Sequence, residues 1–327
     1  MRNAGLFDLQ VNGFAGVDFN SAAITADALD HALDAMVRTG VAQCLPTVIT
    51  APEAVLGDRL AALDRAVATS RLGPAMVPGY HLEGPFLSPE DGYAGCHPPT
   101  AMVAPDRALV ERVEAALALP ILLLTLAPER PGATALIGWA RARGKVVALG
   151  HTAASFADIA AAVEAGATLS THLGNGLRRT LPKFDNPMIA QLAEDRLSAS
   201  FIADGIHIPP AALKVLLRAK GLERSILVSD ATAAAAAPAG RYGLAGMAIE
   251  RAANGAVRLP GSATLAGSSL TLDQAIRNLV DWGLASPEAA MRMASDNPAA
   301  LMAPALEAHE RPPLPPRGRG RFAQRTG

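Results

Sequence analysis

Five of the seven histidines in this 327-residue chain lie at the end of a predicted buried strand or in the loop that follows one. In "KVVALGHTAAS" and "LSTHLGNG", for example, an imidazole lies at or just after the end of such a strand. Carboxylates occupy similar places in "YHLEGP" and "VSDAT". The residues concerned are His81, Glu83, His151, His172, His207 and Asp230, with His97 in the loop after "YHLEGP". Imidazole and carboxylate groups bind divalent metals and act as acids and bases in hydrolysis.

Glu83, His151 and His172 make a His₂Glu set, which is typical of a catalytic zinc site that keeps one position open for water. They follow three different apolar runs, so they can converge on one ion from different sides. The ion would lower the pKa of that water towards neutrality and make hydroxide available. The donor set suits zinc, and iron, cobalt or manganese would also fit.

Asp230 would face the same water, where a carboxylate can take a proton and pass it to a leaving group. A helix N-cap ahead of "ATAAAA" is the alternative interpretation of this residue. His81 lies two residues before Glu83 on the same face of its strand. It either supports the site or is a hydrogen-bonded core histidine. Asp204 precedes a glycine and is left without a role.

These residues can meet only in a fold that brings the ends of several strands close together. The chain has a suitable pattern, because apolar runs alternate with amphipathic stretches along it. Strands are predicted near 5–11, 42–49, 76–83, 119–126, 145–150, 167–172, 198–203 and 225–229. Helices are predicted near 25–39, 53–69, 106–117, 132–143, 155–165, 187–194 and 210–220. Such alternation predicts a parallel sheet covered by helices. Eight strands favour a (β/α)₈ TIM barrel, in which the active site lies at the C-terminal ends of the strands. No GxGxxG motif opens a helix, which counts against a dinucleotide-binding fold.

Beyond the eighth strand, the Ala-rich segment 230–240 is interrupted by Pro238 and is predicted to be a mobile loop. A hairpin is expected within 240–260, with Asn254-Gly255 as its two-residue type I′ turn. Further helices are predicted near 269–283 and 287–295. We expect one barrel domain over 1–306 and a disordered tail over 307–327, because the Pro, Arg and Gly of the tail cannot form a core. A solvated tail is favoured over one that touches nucleic acid.

The composition narrows the class of protein. A net charge of −1 gives no case for attraction to nucleic acid or to a membrane surface. The N-terminus is a poor signal peptide and no uncharged apolar window is long enough for a membrane span. Two cysteines, Cys44 and Cys96, make neither a disulfide framework nor a CxxC site. A cytoplasmic protein is the expectation.

Several longer motifs carry a family resemblance: "FDLQVNGFAGVDFN", "HLEGPFL", "GHTAAS", "STHLGNG", "FIADGIH", "VSDAT" and "LAGSSLTL". In order and spacing they resemble the N-acetylglucosamine-6-phosphate deacetylases of the amidohydrolase superfamily, from about Leu6 to about Pro298. The resemblance implies an amidohydrolase barrel that removes an N-acetyl group from an amino sugar. N-acetylglucosamine 6-phosphate would give glucosamine 6-phosphate and acetate.

The resemblance also implies roles for single residues. The metal ligands would be Glu83, His151 and His172, with a metal-bound hydroxide as nucleophile. Asp230 would be the general base and acid, and His97 would polarise the carbonyl of the substrate. The substrate-binding residues would be Asn175, Gly176 and His207. Gln10 and Asn12 stand where many amidohydrolases have a His-x-His pair for a second metal, and carboxamides are poor ligands for such ions. One divalent metal ion per subunit, zinc above all, is therefore expected.

The chain departs from the family in two ways that leave alternatives open. Family members carry a small β-sandwich on both sides of the barrel in sequence, and we expect it to be missing or truncated here. The family binds phosphate with an arginine donated across a homodimer, and "LRRTLPKFDNP" offers Arg178, Arg179 or Lys183 instead. The substrate is therefore either the 6-phosphate or an unphosphorylated N-acyl sugar or other amide. The alternative from a different functional class is a non-enzymatic protein, a truncated barrel that binds a ligand without catalysis.

Overall fold

The computed structural model describes residues 5–311. Eight parallel strands form one sheet in which each strand pairs with the next in chain order. The strands are β1 (Leu6–Val11), β2 (Val41–Ile49), β3 (Tyr80–Glu83), β4 (Ile121–Leu126), β5 (Val146–Leu149), β6 (Leu169–Ser170), β7 (Ser198–Phe201) and β8 (Ser225–Leu227). The helices are α1 (Ala26–Arg38), α2 (Glu53–Thr69), α3 (Gly73–Met76), α4 (Arg107–Glu114), α5 (Ala133–Ala142), α6 (Phe156–Ala165), α7 (Pro187–Ala193), α8 (Pro210–Lys220), α9 (Leu272–Asp281), α10 (Pro287–Ala294) and α11 (Asp296–Ala308). The predicted (β/α)₈ barrel is confirmed.

The barrel strands are buried on both faces, as parallel strands covered by helices must be. Every residue of the run "ILLLTL" in β4 is buried, and β1 is buried along its whole length. The seam between the first and last strands closes just beyond them. There Val11 bridges Ala231, and the amide of Asp230 donates to the carbonyl oxygen of Gln10 at 2.9 Å. The seam therefore lies at the C-terminal mouth of the barrel.

The third strand and the last helix differ from the sequence prediction. The third strand begins at Tyr80 rather than near residue 76, because α3 and the Pro78-Gly79 turn occupy the positions before it. Helix α11 was not predicted, since Pro298 and Pro304 interrupt its sequence. Pro298 lies in the first turn, where the N–H that proline lacks has no partner within the helix.

A three-stranded antiparallel sheet follows the barrel, formed by β9 (Gly240–Leu244), β10 (Met247–Arg251) and β11 (Val257–Arg258). The predicted position of its tight turn is wrong. Leu244 pairs with Met247, so Ala245-Gly246 is the two-residue loop, and both residues have positive φ as a type I′ turn requires. Asn254-Gly255 lies instead in a five-residue loop, where the Asn254 side chain accepts from the amide of Ala256.

The segment 230–240 is packed rather than mobile over its first half. Ala231, Ala234 and Ala235 are fully buried, and Ala231 bridges Ser268 as well as the first strand. Small side chains allow this close packing, because an alanine fits where two backbone segments run side by side. A shorter hairpin, Gly13–Phe14 with Val17–Asp18, lies beside it.

The predicted tail over 307–327 falls mostly outside the described residues, and Glu307 and Ala308 belong to α11. Within residues 5–311, none of the helices combines the length and the hydrophobicity needed to cross a bilayer.

Candidate metal centre and active site

A cavity of about 600 Å³ opens at the C-terminal mouth of the barrel. Its walls include residues from seven of the eight predicted strand ends and from the loops between them. The predicted site residues that line it are Asn12, Glu83, His97, His151, His172, Asn175, Gly176, Arg179, His207 and Asp230. The structure thus brings together side chains that are up to 218 residues apart in the chain.

Glu83, His151 and His172, here called the metal cluster, present three ligand atoms to one point. Glu83 Oε1 lies 3.0 Å from His172 Nε2 and 3.5 Å from His151 Nε2, and the two Nε2 atoms are 3.2 Å apart. In a tetrahedral zinc site with ligand bonds of about 2.0–2.1 Å, neighbouring ligand atoms are about 3.3 Å apart. The triangle therefore fits one face of such a tetrahedron, and these residues fit a divalent metal.

A hydrogen bond fixes the orientation of His151, with Nε2 directed towards the other two ligand atoms. Its Nδ1 donates to the carbonyl oxygen of Tyr93 at 2.8 Å. A carbonyl can only accept, so the proton is on Nδ1 and the Nε2 lone pair is free for a metal. The ring lies between two glycines: a Cβ on Gly95 would come within 3.0 Å of it, and a Cβ on Gly176 within 2.7 Å. Only residues without a side chain can approach the ring so closely.

Three of the site residues have left-handed backbone conformations: His151 with φ 51°, His172 with φ 29° and Asp230 with φ 46°. Residues other than glycine rarely adopt such angles, which cost about 1–3 kcal/mol each and cluster at functional sites. Each occurs just after a barrel strand, where the chain must turn sharply while its side chain stays over the barrel. For His172, the Ser200 hydroxyl accepts from its amide at 2.7 Å and fixes the turn.

Two carboxamides from the end of β1 connect the carboxylates of the site. Asn12 Nδ2 donates to Asp230 Oδ1 at 2.7 Å, and Gln10 Nε2 lies 3.1 Å from Glu83 Oε1 and 3.3 Å from Asp230 Oδ1. Burial, and then the charge of Glu83, raise the pKa of Asp230 to about 6. Burial acts to raise the pKa of Glu83, but the neighbouring imidazoles of His151 and His172 outweigh it and hold that pKa well below its usual range. The site therefore contains one firmly ionised carboxylate and one that exchanges protons near neutral pH.

His97 faces the other oxygen of Glu83. Its Nε2 lies 3.7 Å from Glu83 Oε2, and its Nδ1 lies 2.9 Å from the hydroxyl of Thr50. Glu83, His97 and His151 together also have ligand atoms close enough to share an ion. Burial, with His151 beside it, lowers the pKa of His97 to about 3, so this imidazole is neutral at pH 7.

The residues expected to contact the sugar line the same cavity as the metal cluster. Asn175 donates through its side-chain amide to the carbonyl oxygen of His172 at 3.0 Å, so its position is tied to a cluster residue. His207 is held by Asp204, with 2.6 Å between Nδ1 and Oδ2. Burial raises the pKa of Asp204, but its hydrogen bond with His207 outweighs this and lowers it.

The three cations proposed for a phosphate group lie in different surroundings. Arg178 lies off the cavity wall, because it pairs with Glu90 at 2.7 Å and stacks on the ring of Tyr93. Lys183 is exposed and does not line the cavity. Arg179 lines the cavity and has no hydrogen-bond or ion-pair partner within residues 5–311.

Sequence reasoning overlooked the ends of the second and fourth strands. Thr50, just beyond β2, contacts His97, and Glu129, three residues beyond β4, contacts the turn after His151. Both residues follow the end of an apolar run, in "VIT" and "TLAPER", and this position could have identified them as candidate site residues. His81 is a hydrogen-bonded core histidine: Nε2 lies 2.7 Å from the Thr125 hydroxyl, and Nδ1 lies 3.1 Å from the carbonyl oxygen of Leu9.

Comparison with known proteins gives a consistent set of relatives, although no family model matches the chain. An N-acetylgalactosamine-6-phosphate deacetylase of Escherichia coli O157:H7 is 36% identical over 297 residues, which are 90% of this chain and 76% of the relative. An N-acetylglucosamine-6-phosphate deacetylase of Lysinibacillus sphaericus is 32% identical, over 90% of this chain and 74% of its own. Among solved structures, a mutant N-acetyl-D-glucosamine-6-phosphate deacetylase of Mycobacterium smegmatis, in complex with N-acetyl-D-glucosamine-6-phosphate, superposes with a TM-score of 0.83 at 32% identity. That match covers 98% of this chain and 80% of the other.

Proposed function

The chain belongs to the N-acetylglucosamine-6-phosphate deacetylase family of amidohydrolases, and from that membership we propose that it hydrolyses the N-acetyl group of an amino-sugar 6-phosphate. N-acetylglucosamine 6-phosphate is the proposed substrate, and the products are glucosamine 6-phosphate and acetate. The observation that carries the proposal is the metal cluster with Asp230 beside it, because a metal-ligating triangle and a carboxylate that exchanges protons are what amide hydrolysis needs.

One divalent ion, zinc above all, is proposed to bind Glu83, His151 and His172, and iron, cobalt or manganese are alternatives that the same donors accept. When bound, such an ion supplies a Lewis acid that polarises the amide carbonyl and makes water more acidic. Gln10 and Asn12 bind no ion in this proposal. They hold the two carboxylates through hydrogen bonds, which keeps Asp230 aimed into the cavity.

Asp230 is proposed to move the proton. As a carboxylate it takes a proton from the water that attacks the acetyl carbonyl, and it then gives this proton to the departing amine nitrogen. The C–N bond breaks, Asp230 returns to its ionised form, and the acetyl group leaves as acetic acid, which loses its remaining proton to water and becomes acetate. A pKa of about 6 suits both halves of this transfer, because the group is mostly ionised at pH 7 and yet basic enough to accept a proton.

His97 is proposed to donate a hydrogen bond from Nε2 to the substrate's carbonyl oxygen, where negative charge develops. The Thr50 hydroxyl beside Nδ1 fixes the ring in place beforehand, so no reorganisation is needed during the reaction. Asn175, Gly176 and His207 are proposed to contact the sugar, since all three line the same cavity.

For the phosphate group we favour Arg179 over Arg178 and Lys183, because it alone of the three lines the cavity. Arg178 is already neutralised by Glu90, which argues against its binding a second anion. The alternative substrate is an unphosphorylated N-acyl amino sugar, and it is favoured if Arg179 contributes nothing to binding.

The test is acetate release by the metal-replete full chain on N-acetylglucosamine 6-phosphate, its galactose epimer and N-acetylglucosamine. We expect a preference for a phosphorylated sugar, and we expect Asp230→Asn to lower kcat by at least 100-fold while bound zinc is retained. Arg179→Ala should raise KM for the phosphorylated sugar about tenfold or more, whereas the matched Arg178→Ala should leave it within about twofold. No acetate from any of the three sugars would refute the proposal.

We also propose a homodimer and a cytoplasmic location. Both cysteines are free thiols, and Cys96 lines the cavity, which suits a reducing compartment. Sedimentation of the purified chain would test the dimer.

A further inference from the structure

The turn that follows His151 is tied to a carboxylate from a different strand. Glu129 lies three residues beyond the end of β4. Its Oε2 accepts a short hydrogen bond from the hydroxyl of Thr152, and its Oε1 accepts from the amide of Ala153 at 2.8 Å. The Thr152 hydroxyl in turn accepts from the amide of Ala154 at 3.0 Å. One carboxylate therefore fixes the three residues directly after His151.

This arrangement meets a specific need of the turn. His151 has φ 51°, a conformation that the surrounding structure must impose because the residue does not favour it. The amide of Ser88 also donates to the carbonyl oxygen of His151 at 3.0 Å. The backbone on the C-terminal side of His151 is thus held twice, by Ser88 at the carbonyl oxygen and by Glu129 at the residues that follow. Its imidazole therefore projects from a fixed backbone.

Capping of the next helix does not explain Glu129. Helix α6 has its own complete capping box, in which Ser155 accepts from the amide of Asp158 and Asp158 accepts from the amide of Ser155. Glu129 contacts the residues before that box. The turn presents two hydrogen-bond donors, a hydroxyl and an amide. A carboxylate suits this place because each of its two oxygens can accept from one of them.

We propose that Glu129 is a positioning residue for the metal centre, acting through the Thr152–Ala154 turn to keep the Nε2 of His151 in the ligand triangle. The inference rests on the proposed function, because it takes His151 as a metal ligand. Partners that orient metal ligands typically contribute 10- to 100-fold to metal affinity. Glu129 acts through the backbone of the ligand rather than on its ring, so the lower end of this range applies.

The experiment measures zinc affinity of the metal-free full chain by competition with a chromogenic chelator. The variants are Glu129→Gln, which leaves one carbonyl oxygen for two donors, and the near-isosteric Thr152→Val, together with the double variant. Asp158→Asn is the matched control, because it removes a carboxylate from the start of α6 without touching the turn after His151. Cobalt(II) absorption spectra report the coordination geometry, and thermal unfolding reports the fold.

We expect Glu129→Gln and Thr152→Val each to weaken zinc binding about tenfold and to alter the cobalt spectrum. The double variant should be no weaker than about the stronger single change, since both remove the same interaction. Asp158→Asn should stay within twofold of the wild type. If Glu129→Gln is folded and binds zinc within twofold of the wild type while His151→Ala does not bind it, the inference is wrong and the proposed metal site stands. If the wild type itself binds no zinc, both are wrong.

Discussion

The closeness of Gly176 to His151 predicts that a single added methyl group will damage the proposed metal centre. In Gly176→Ala, the new Cβ would lie 2.7 Å from His151 Nδ1 and 3.0 Å from its Cε1. Ordinary contacts of this kind begin at 3.4 Å, so the ring must retreat by about 0.7 Å. The retreat also strains the hydrogen bond from Nδ1 to the carbonyl oxygen of Tyr93, which fixes the protonation of the ring.

The size of the effect follows from this displacement. A misplacement of about 1 Å at a reacting centre can cost about 100-fold in rate, so 0.7 Å predicts a loss of ten- to a hundredfold in kcat/KM. Zinc affinity should fall in parallel, because Nε2 leaves the ligand triangle. Gly176 also has φ 60°, where alanine costs about 1–2 kcal/mol, so the variant should unfold at a lower temperature.

The assay is acetate release and zinc competition on the same preparation, with Gly138→Ala as the control. Gly138 lies inside α5, and a Cβ there meets nothing within 4 Å. That change should leave activity untouched and stabilise the protein by about 0.5–1 kcal/mol, as alanine does in a helix interior. A Gly176→Ala protein with wild-type zinc affinity and rate would refute the reasoning about how His151 is held.

Two further predictions concern protons and a buried amine. Burial raises the pKa of Asp230 from 3.8 to about 6, and its carboxylate form is the proposed base. The value of kcat/KM should therefore fall about tenfold per pH unit below pH 6 and level off above it. A profile that is flat down to pH 4.5 would contradict this assignment. Lys220 is 1% exposed, and its ammonium group donates to the carbonyl oxygens of Gln191, Glu194 and Leu197 at 2.9–3.1 Å. Lys220→Met should therefore lower the free energy of unfolding, measured by urea titration, by about 3 kcal/mol without changing zinc affinity. A loss below about 1 kcal/mol would show that these contacts contribute little to stability.

The barrel, and the convergence of Glu83, His151 and His172 at its mouth, could be predicted because both follow from regular patterns. Parallel strands end at one edge of the sheet, so polar residues placed after buried runs must meet there, as Glu83, His151 and His172 do. The number of strands was visible in the alternation of apolar and amphipathic stretches. These patterns depend on residue types and spacing alone, and a single sequence contains both.

What could not be predicted depends on contacts between distant segments. Nothing in the sequence pairs Arg178 with Glu90, or Thr50 with His97, because these contacts arise only when two loops fold over the same barrel mouth. The tight hairpin turn was misplaced for a related reason. Asn254-Gly255 is a typical turn sequence, but strand register places the turn at Ala245 and the glycine after it.

The closing seam of the barrel lies between the residues proposed to bind the metal and those that position the proposed proton carrier, Asp230. The metal cluster comes from one continuous stretch of the chain, from β3 to the turn just beyond β6, and its strands pair with their direct neighbours. Asp230 is different, because it is positioned by Gln10 and Asn12 from the opposite end of the barrel chain. If the proposed function is right, a folding intermediate with an open seam would already bind an ion, yet Asp230, the proposed proton carrier, would not be in position. Metal uptake during refolding should therefore precede the recovery of hydrolysis. Metal binding would then measure the folding of the β3–β6 part of the barrel, and hydrolysis would measure the folding of the whole barrel.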